Sequence, residues 1–363
     1  MAGCILTACT VPAASPPDQV GSPAGVLVSP AASASDPAAI SAAPSPSPSV
    51  TASAVGTTPM INPNDKKPDG KGVLNFTVVL HLEGWNDGEN RNIFKDHADK
   101  LRAYAELFEK YGAKMTLESK EIIDGCIRWN DNVLLELQQK GHAVGIHADA
   151  GGEDGATVDS ISRTLTDMKD KLAQLGIDAA FASGVASKAD WVLACENAGI
   201  GVVTCMVNYG LWSLDPALRP DFFEPWKTPA QGHGPFPEDM RDRLHAWYAE
   251  SGSNWIVPKP EGNILIIPPG LSLNNAYEEL HENASTTKSD FTADDIEAWT
   301  DALPQVLAAT DSHKVNAFYA VWSFGQALDE ALLEDWLKVI DGYAKQGRIE
   351  WKNMNDIIAL YTD

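Results

Sequence analysis

Beyond Gly72 the chain alternates between short apolar runs and longer stretches whose apolar residues recur at helical spacing. Residues 75–82 (NFTVVLHL) form a compact apolar run, the pattern of a buried strand. Residues 92–111 place Ile93, Leu101, Tyr104, Leu107 and Phe108 along one helical face, and Gly112 is a suitable stop. The same reading predicts strands at 113–117, 142–147, 179–182, 201–206, 263–267 and 317–324. It predicts helices at 130–140, 158–175, 188–198, 292–310, 328–345 and 353–361. Repeated strand–helix alternation implies parallel strands joined by right-handed crossovers. About seven strands suit an α/β fold, a distorted or incomplete (β/α) barrel, with a doubly wound open sheet as the alternative. No strand is followed by a glycine-rich phosphate loop, which argues against a nucleotide-binding sheet.

Two regions break the alternation. Residues 207–262 are rich in Trp, Pro and Gly and are expected to form an excursion over the C-terminal mouth of the barrel. Residues 10–63 are almost wholly Ala, Ser, Pro, Val, Gly and Thr, with Asp18 and Asp36 as the only charged side chains in the first 63 residues. Such a segment buries little apolar area and reads as a disordered linker. The chain thus divides into a leader at 1–9, the linker at 10–63 and a barrel at 64–363. Limited proteolysis with a protease of broad specificity is expected to trim it to a stable core that starts near residues 64–74. A tail protected from cleavage would contradict the division.

Leu6-Thr7-Ala8-Cys9 resembles the lipobox of bacterial lipoproteins, with lipid on Cys9 and the linker as a tether. This implies an extracytoplasmic, cell-surface location, and the membrane as a partner only through that lipid. Of the five cysteines, Cys126, Cys195 and Cys205 fall in the barrel, and no C-x-x-C pair marks a structural zinc cluster. The formal charge is −23, and no basic tract is present, which argues against nucleic acid as a partner.

Barrel active sites form at the C-terminal ends of strands. The first predicted strand ends His81-Leu82-Glu83-Gly84-Trp85 and the third ends His147-Ala148-Asp149. Residues i and i+2 of a strand share a face, so each end can present an imidazole and a carboxylate together. Such groups are ligands of a catalytic divalent metal, zinc being favoured by mixed imidazole and carboxylate donors. His81, Glu83 and His147 are therefore the candidate metal ligands, with Glu83 and Asp149 as candidate proton carriers. Eleven tryptophans add a second theme. Trp85, Trp212, Trp226 and Trp255 are candidate platforms for sugar rings, since an indole packs on the C–H face of a pyranose.

The segment from Asn75 to Met206 resembles the polysaccharide deacetylase (nodulation-type chitooligosaccharide deacetylase) domain. The likeness is carried by Phe108-Glu109-Lys110-Tyr111-Gly112-Ala113-Lys114-Met115-Thr116, by Leu137 through Gly141-His142-Ala143-Val144-Gly145-Ile146-His147, and by Cys195-Glu196-Asn197-Ala198-Gly199-Ile200. Gly347-Arg348-Ile349-Glu350-Trp351 is similar to the family's closing segment. The resemblance implies a distorted barrel and a metal-dependent hydrolase of a polysaccharide. The motifs depart from the family: Glu83-Gly84 stands where two aspartates are expected, and Gly151 where a second histidine is expected. His81-x-Glu83-x-Trp85 is similar, over a short stretch, to a strand end of zinc α-mannosidases. Three readings follow: a divergent metal-dependent hydrolase of a polysaccharide or oligosaccharide, a metal-free glycosidase or lyase using paired carboxylates, and an inactive glycan-binding barrel.

Overall fold

The computed structural model describes residues 68–83, 85–206, 208–219, 244–281, 290–325 and 328–362. The leader, the linker and Trp226 lie outside them.

Strand β1 (Leu74–Leu82) is central. After it come α1 (Arg91–Glu109), β2 (Met115–Ser119), α2 (Glu121–Trp129), α3 (Val133–Gln139), β3 (Ala143–His147), α4 (Val158–Gln174), β4 (Phe181–Ser183), α5 (Trp191–Asn197) and β5 (Val202–Val203). The second half holds β6 (Trp247–Ala249), β7 (Ile264–Ile266), β8 (Leu271–Ser272), α6 (Ala276–His281), α7 (Ala293–Ala308), β9 (Asn316–Ser323), α8 (Glu330–Lys345), β10 (Ile349–Trp351) and α9 (Met354–Thr362). Local signals set these bounds. Asn90 caps α1 by accepting from the N–H groups of Asn92 and Ile93, and Phe94, Ala98, Leu101, Tyr104, Ala105 and Phe108 form its buried stripe.

The strands form an open sheet in the order β6-β7-β5-β4-β3-β2-β1-β9-β8. All pairings are parallel except β6 with β7. One edge of β1 is shared: Leu74–Phe76 pair with β10, and Val78–Leu82 pair with β2. The architecture is thus an incomplete barrel, and it holds more strands than the seven expected. The added ones (β6, β8 and β10) are two or three residues long, too short for a two-residue period to show.

Two cores divide the alternating residues. Leu74, Phe76, Val78, Leu80 and Leu82 of β1 pack outward against the helices. Val79 faces inward with Ala143, Phe181, Val202, Leu265, Ile267, Ala317 and Tyr319, so residues from β1, β3, β4, β5, β7 and β9 meet across a curled sheet. Met354 and Ile357 of α9 close the N-terminal end of this lumen, and the Met354 N–H donates to Thr116 Oγ1 at 3.0 Å. The opposite end, where the strands finish, is left for polar groups.

Most tryptophans serve the outer core. Trp191, Trp255, Trp299 and Trp336 are fully buried. Trp299 and Trp336 pack on Phe76, with ring centroids 6.0 and 6.2 Å away.

Candidate metal centre

The lumen face of each strand turns polar towards its C-terminal end. On β1 the inward residues run Thr77, Val79, His81, with Glu83 just beyond. On β2 they are Thr116 and Glu118, and on β3 Ala143, Gly145 and His147. The register sets His81 beside Glu118, and Glu118 beside Gly145. A Cβ at 145 would fall 2.2 Å from the Phe181 ring, so this position has no room for a side chain. Ser183 and Thr204 follow on the inward faces at the ends of β4 and β5.

Three ligand-type side chains converge here. His81, Glu118 and His147 place one donor atom each within 4.8 Å of one another. The two imidazoles stack, with centroids 4.2 Å apart and planes at 30°. His147 Nδ1 is 2.8 Å from Ser183 Oγ, and its Nε2 is 2.9 Å from Glu83 Oε2. Glu118 is fully buried and accepts from Thr204 Oγ1.

His81 Nε2 lies 3.0 Å from Glu118 Oε2, yet the pair is not aligned as a hydrogen bond, and both buried atoms remain without one. An unmet donor–acceptor pair at this depth is costly. Charge attraction at short range offsets part of that cost. Burial works against the Glu118 anion, but His81, Ser183 and Thr204 prevail and lower its pKa. Burial likewise opposes a charged His81, but the adjoining Cys205 and Glu118 raise its pKa well above the usual imidazole value.

Glu83 has the same character. Burial pushes its pKa up, but the hydrogen bond from His147, with the charges of His147, His81 and Lys120, brings it from 4.5 to about 2. A carboxylate whose folded value is depressed contributes stability above its unfolded value, and loses it as pH falls through the folded one. In the metal-free protein Glu83→Gln is therefore expected to flatten the loss of stability between roughly pH 5 and pH 2. Urea unfolding across that range checks it, and an unchanged slope would show that Glu83 is not held by His147.

The residues singled out in the sequence divide accordingly. His81 and His147 are brought together, but Glu83, expected as the third ligand, meets only His147 Nε2, and Glu118 supplies the carboxylate atom that converges with the two imidazoles. Asp149 adopts a left-handed conformation (φ 45°), is well exposed, and its Oδ2 lies 3.0 Å from Lys120 Nζ. Trp85 is half-buried beside the mouth, its ring 4.2 Å from His97 and 5.3 Å from Phe324. Trp212 and Trp255 correct the expectation of exposed platforms. Trp255 is fully buried, its Nε1 donating to the Gly210 carbonyl, and Trp212 is 6% exposed with Lys188 over its ring. The excursion that contains them forms short 3-10 turns at Asn208–Ser213 and Pro216–Leu218, and returns as β6 on the edge of the sheet. Cys126, Cys195 and Cys205 are all free thiols.

Glu118 is the residue that the strand-end reading missed, and a signal for it was present. Met115-Thr116-Leu117-Glu118 alternates apolar and polar residues, and the strand runs on to Ser119, two residues past the end expected at 117.

No protein-family model and no curated protein matches the sequence. Solved structures are similar in fold. A probable polysaccharide deacetylase from Pseudomonas aeruginosa aligns at 12% identity over 82% of this chain and 95% of its own, with a TM-score of 0.52. An allantoinase aligns at 14% identity over 82% and 94%, with a TM-score of 0.50. The 4-α-glucanotransferase of Thermococcus litoralis aligns at 15% identity over 79% of this chain, which spans 40% of that enzyme's length, with a TM-score of 0.46. The chain has the barrel-type α/β fold of the first two.

Proposed function

We propose that this chain is a divalent-metal-dependent hydrolase of a polysaccharide or oligosaccharide, deacetylase-like, with His81, Glu118 and His147 as the metal ligands. The observation that carries the reading is the pair of buried, unbonded atoms, His81 Nε2 and Glu118 Oε2, facing each other next to His147. A cation between them would satisfy both. Two imidazoles and a carboxylate form a donor set suited to zinc, with bond lengths of ~2.0–2.2 Å. The residues present thus fit the group.

When bound, the metal would polarise a substrate carbonyl and lower the pKa of a coordinated water. The chain's own residues supply the rest. Ser183 holds the His147 ring through Nδ1, and a metal at Nε2 would displace the contact that Glu83 makes there. Thr204 fixes Glu118 in the same way. Glu83, at 2.9 Å from His147 Nε2, is the carboxylate placed to take a proton beside the cluster. Asp149 stands farther out, paired with Lys120, where it is positioned to meet a substrate hydroxyl at the rim.

Carbohydrate is the substrate class because the fold is shared with a probable polysaccharide deacetylase, and the segment from Asn75 to Met206 resembles that family's sequence pattern. The lipobox-like Leu6-Thr7-Ala8-Cys9 supports a location at the bacterial surface, with lipid on Cys9. The test is metal binding by the full chain after chelator dialysis. Zinc is expected to bind stoichiometrically, to be lost in Glu118→Gln, and to support acetate release from acetylated chitooligosaccharides. Failure of the wild type to retain zinc or cobalt would overturn the metal reading.

A further inference from the structure

Trp85 and His97 form a polar edge that the metal reading does not use. Trp85 follows Glu83 by two residues, so their Cα atoms are at most about 7.6 Å apart. Its ring lies 5.3 Å from that of Phe324, whose N–H donates to the His81 carbonyl at 2.9 Å. The indole therefore sits beside the metal centre, over the ends of β1 and β9. Elsewhere in the described residues an indole N–H either donates within the protein, as at Trp129, Trp247 and Trp299, or is buried, as at Trp322 and Trp336. At Trp85 it does neither: Nε1 is accessible and has no partner among the described residues. A Cβ at position 325 would lie 3.2 Å from Nε1 and crowd it, and glycine stands there.

His97 adds a second group. Its ring packs 4.2 Å from that of Trp85, with planes at 48°. Nδ1 is 2.8 Å from Oδ1 of Asp87, which is fully buried. An ionised carboxylate only accepts, so Nδ1 carries the proton and the neutral ring offers a lone pair at Nε2. Nε2, like the indole N–H, is accessible and has no partner among the described residues. The second oxygen of Asp87 is buried and unbonded, an arrangement that costs stability. What the carboxylate provides is the direction of Nε2. We infer that Trp85 Nε1 and His97 Nε2 form a two-point hydroxyl-binding subsite for a neutral sugar ring at the rim, with Asp87 as the positioning residue. The inference rests on the carbohydrate reading above and names residues that hold the chain beside the metal centre. A donor and an acceptor side by side match two neighbouring hydroxyls, since each hydroxyl can donate and accept. An anionic group is a poorer fit, because the imidazole presents a lone pair and a buried carboxylate stands behind it.

Proton–nitrogen NMR and calorimetry on the full chain, freed of metal so that no substrate is turned over, test this with chito-, xylo- and cello-oligosaccharides. The Trp85 indole N–H signal, identified by its loss in Trp85→Phe, is expected to shift when one of these sugars binds. Trp85→Phe keeps a ring against His97 and loses the N–H. His97→Asn keeps a donor for Asp87 and loses Nε2. Each should weaken binding roughly three- to tenfold, the usual net effect of one hydrogen bond, with little change in the urea midpoint. Asp87→Asn should weaken binding to a similar degree and move the ring-nitrogen shifts of His97, which report the tautomer. Unmoved ring-nitrogen shifts would overturn the positioning role of Asp87. A sugar that binds with the Trp85 signal unmoved, or with full affinity for Trp85→Phe or His97→Asn, would overturn the subsite and leave the carbohydrate reading standing. No binding of these sugars by the wild type, with or without zinc, would overturn both.

Discussion

Glu118→Ala is expected to destabilise the metal-free protein by about 3–5 kcal/mol, the usual cost of removing one partner of a buried ion pair. The carboxylate is fully buried and is the common partner of His81, Thr204 and Ser183. Its loss leaves His81 as a cation without its counter-charge, the Thr204 hydroxyl with only its long contact to the Ala182 carbonyl, and a void. His81 can shed its proton, which limits the electrostatic part and places the expected value near the lower end. Glu118→Gln separates the two roles of the residue. The amide keeps the volume and can still accept from Thr204 Oγ1, so its stability loss should be clearly smaller. It lacks the charge, so metal affinity should fall as far as in the alanine variant. Urea unfolding gives the first quantity and a zinc titration the second. If Glu118→Gln bound zinc as well as the wild type does, Glu118 would not be a ligand.

How far the site could be read in advance follows from strand length. His81 and Glu83 close a nine-residue strand whose apolar run is unmistakable, and His147 closes a five-residue strand bounded by Gly141. The ends of both strands were therefore fixed to within a residue, and the i, i+2 rule gave the lumen side. Ser183 and Thr204 lie at the ends of β4 and β5, three and two residues long, where periodicity has no length in which to appear. Tryptophan content misled for a related reason. An indole's composition does not distinguish a sugar platform from a core filler, and at Trp255 a backbone carbonyl, that of Gly210, meets its N–H inside the protein. The fold was more legible than the site. Helix stripes such as that of α1 run for many turns, and the alternation of elements depends on patterns that survive errors of a few residues at each boundary.

Gly184→Ala tests whether the position of His147 is enforced from the neighbouring strand end. Gly184 has φ +67°, and a Cβ there would lie 2.7 Å from the Asp149 backbone nitrogen and 3.3 Å from His147 Cε1. The two loops are joined closely at this point: Ala148 N–H donates to the Ser183 carbonyl at 2.9 Å, and Ala150 N–H to that of Gly184 at 2.8 Å. An alanine therefore carries two penalties. The left-handed backbone costs about 1–2 kcal/mol for a residue with a Cβ. Pushing apart two hydrogen-bonded loops adds about 1–3 kcal/mol more, as overpacking does. Gly176→Ala is the matched control. It too has a positive φ (+81°), but the nearest atom to its Cβ is 3.8 Å away, so only the backbone penalty applies. Urea unfolding should show Gly184→Ala as the more destabilised of the two by roughly the overpacking cost. Zinc affinity should fall in Gly184→Ala, because the methyl group displaces the His147 ring away from His81 and Glu118, and should be unchanged in Gly176→Ala. Equal zinc affinity in the two variants would mean that the ring is held by Ser183 and Glu83 alone, and that the close approach of the two strand ends serves stability rather than the metal centre.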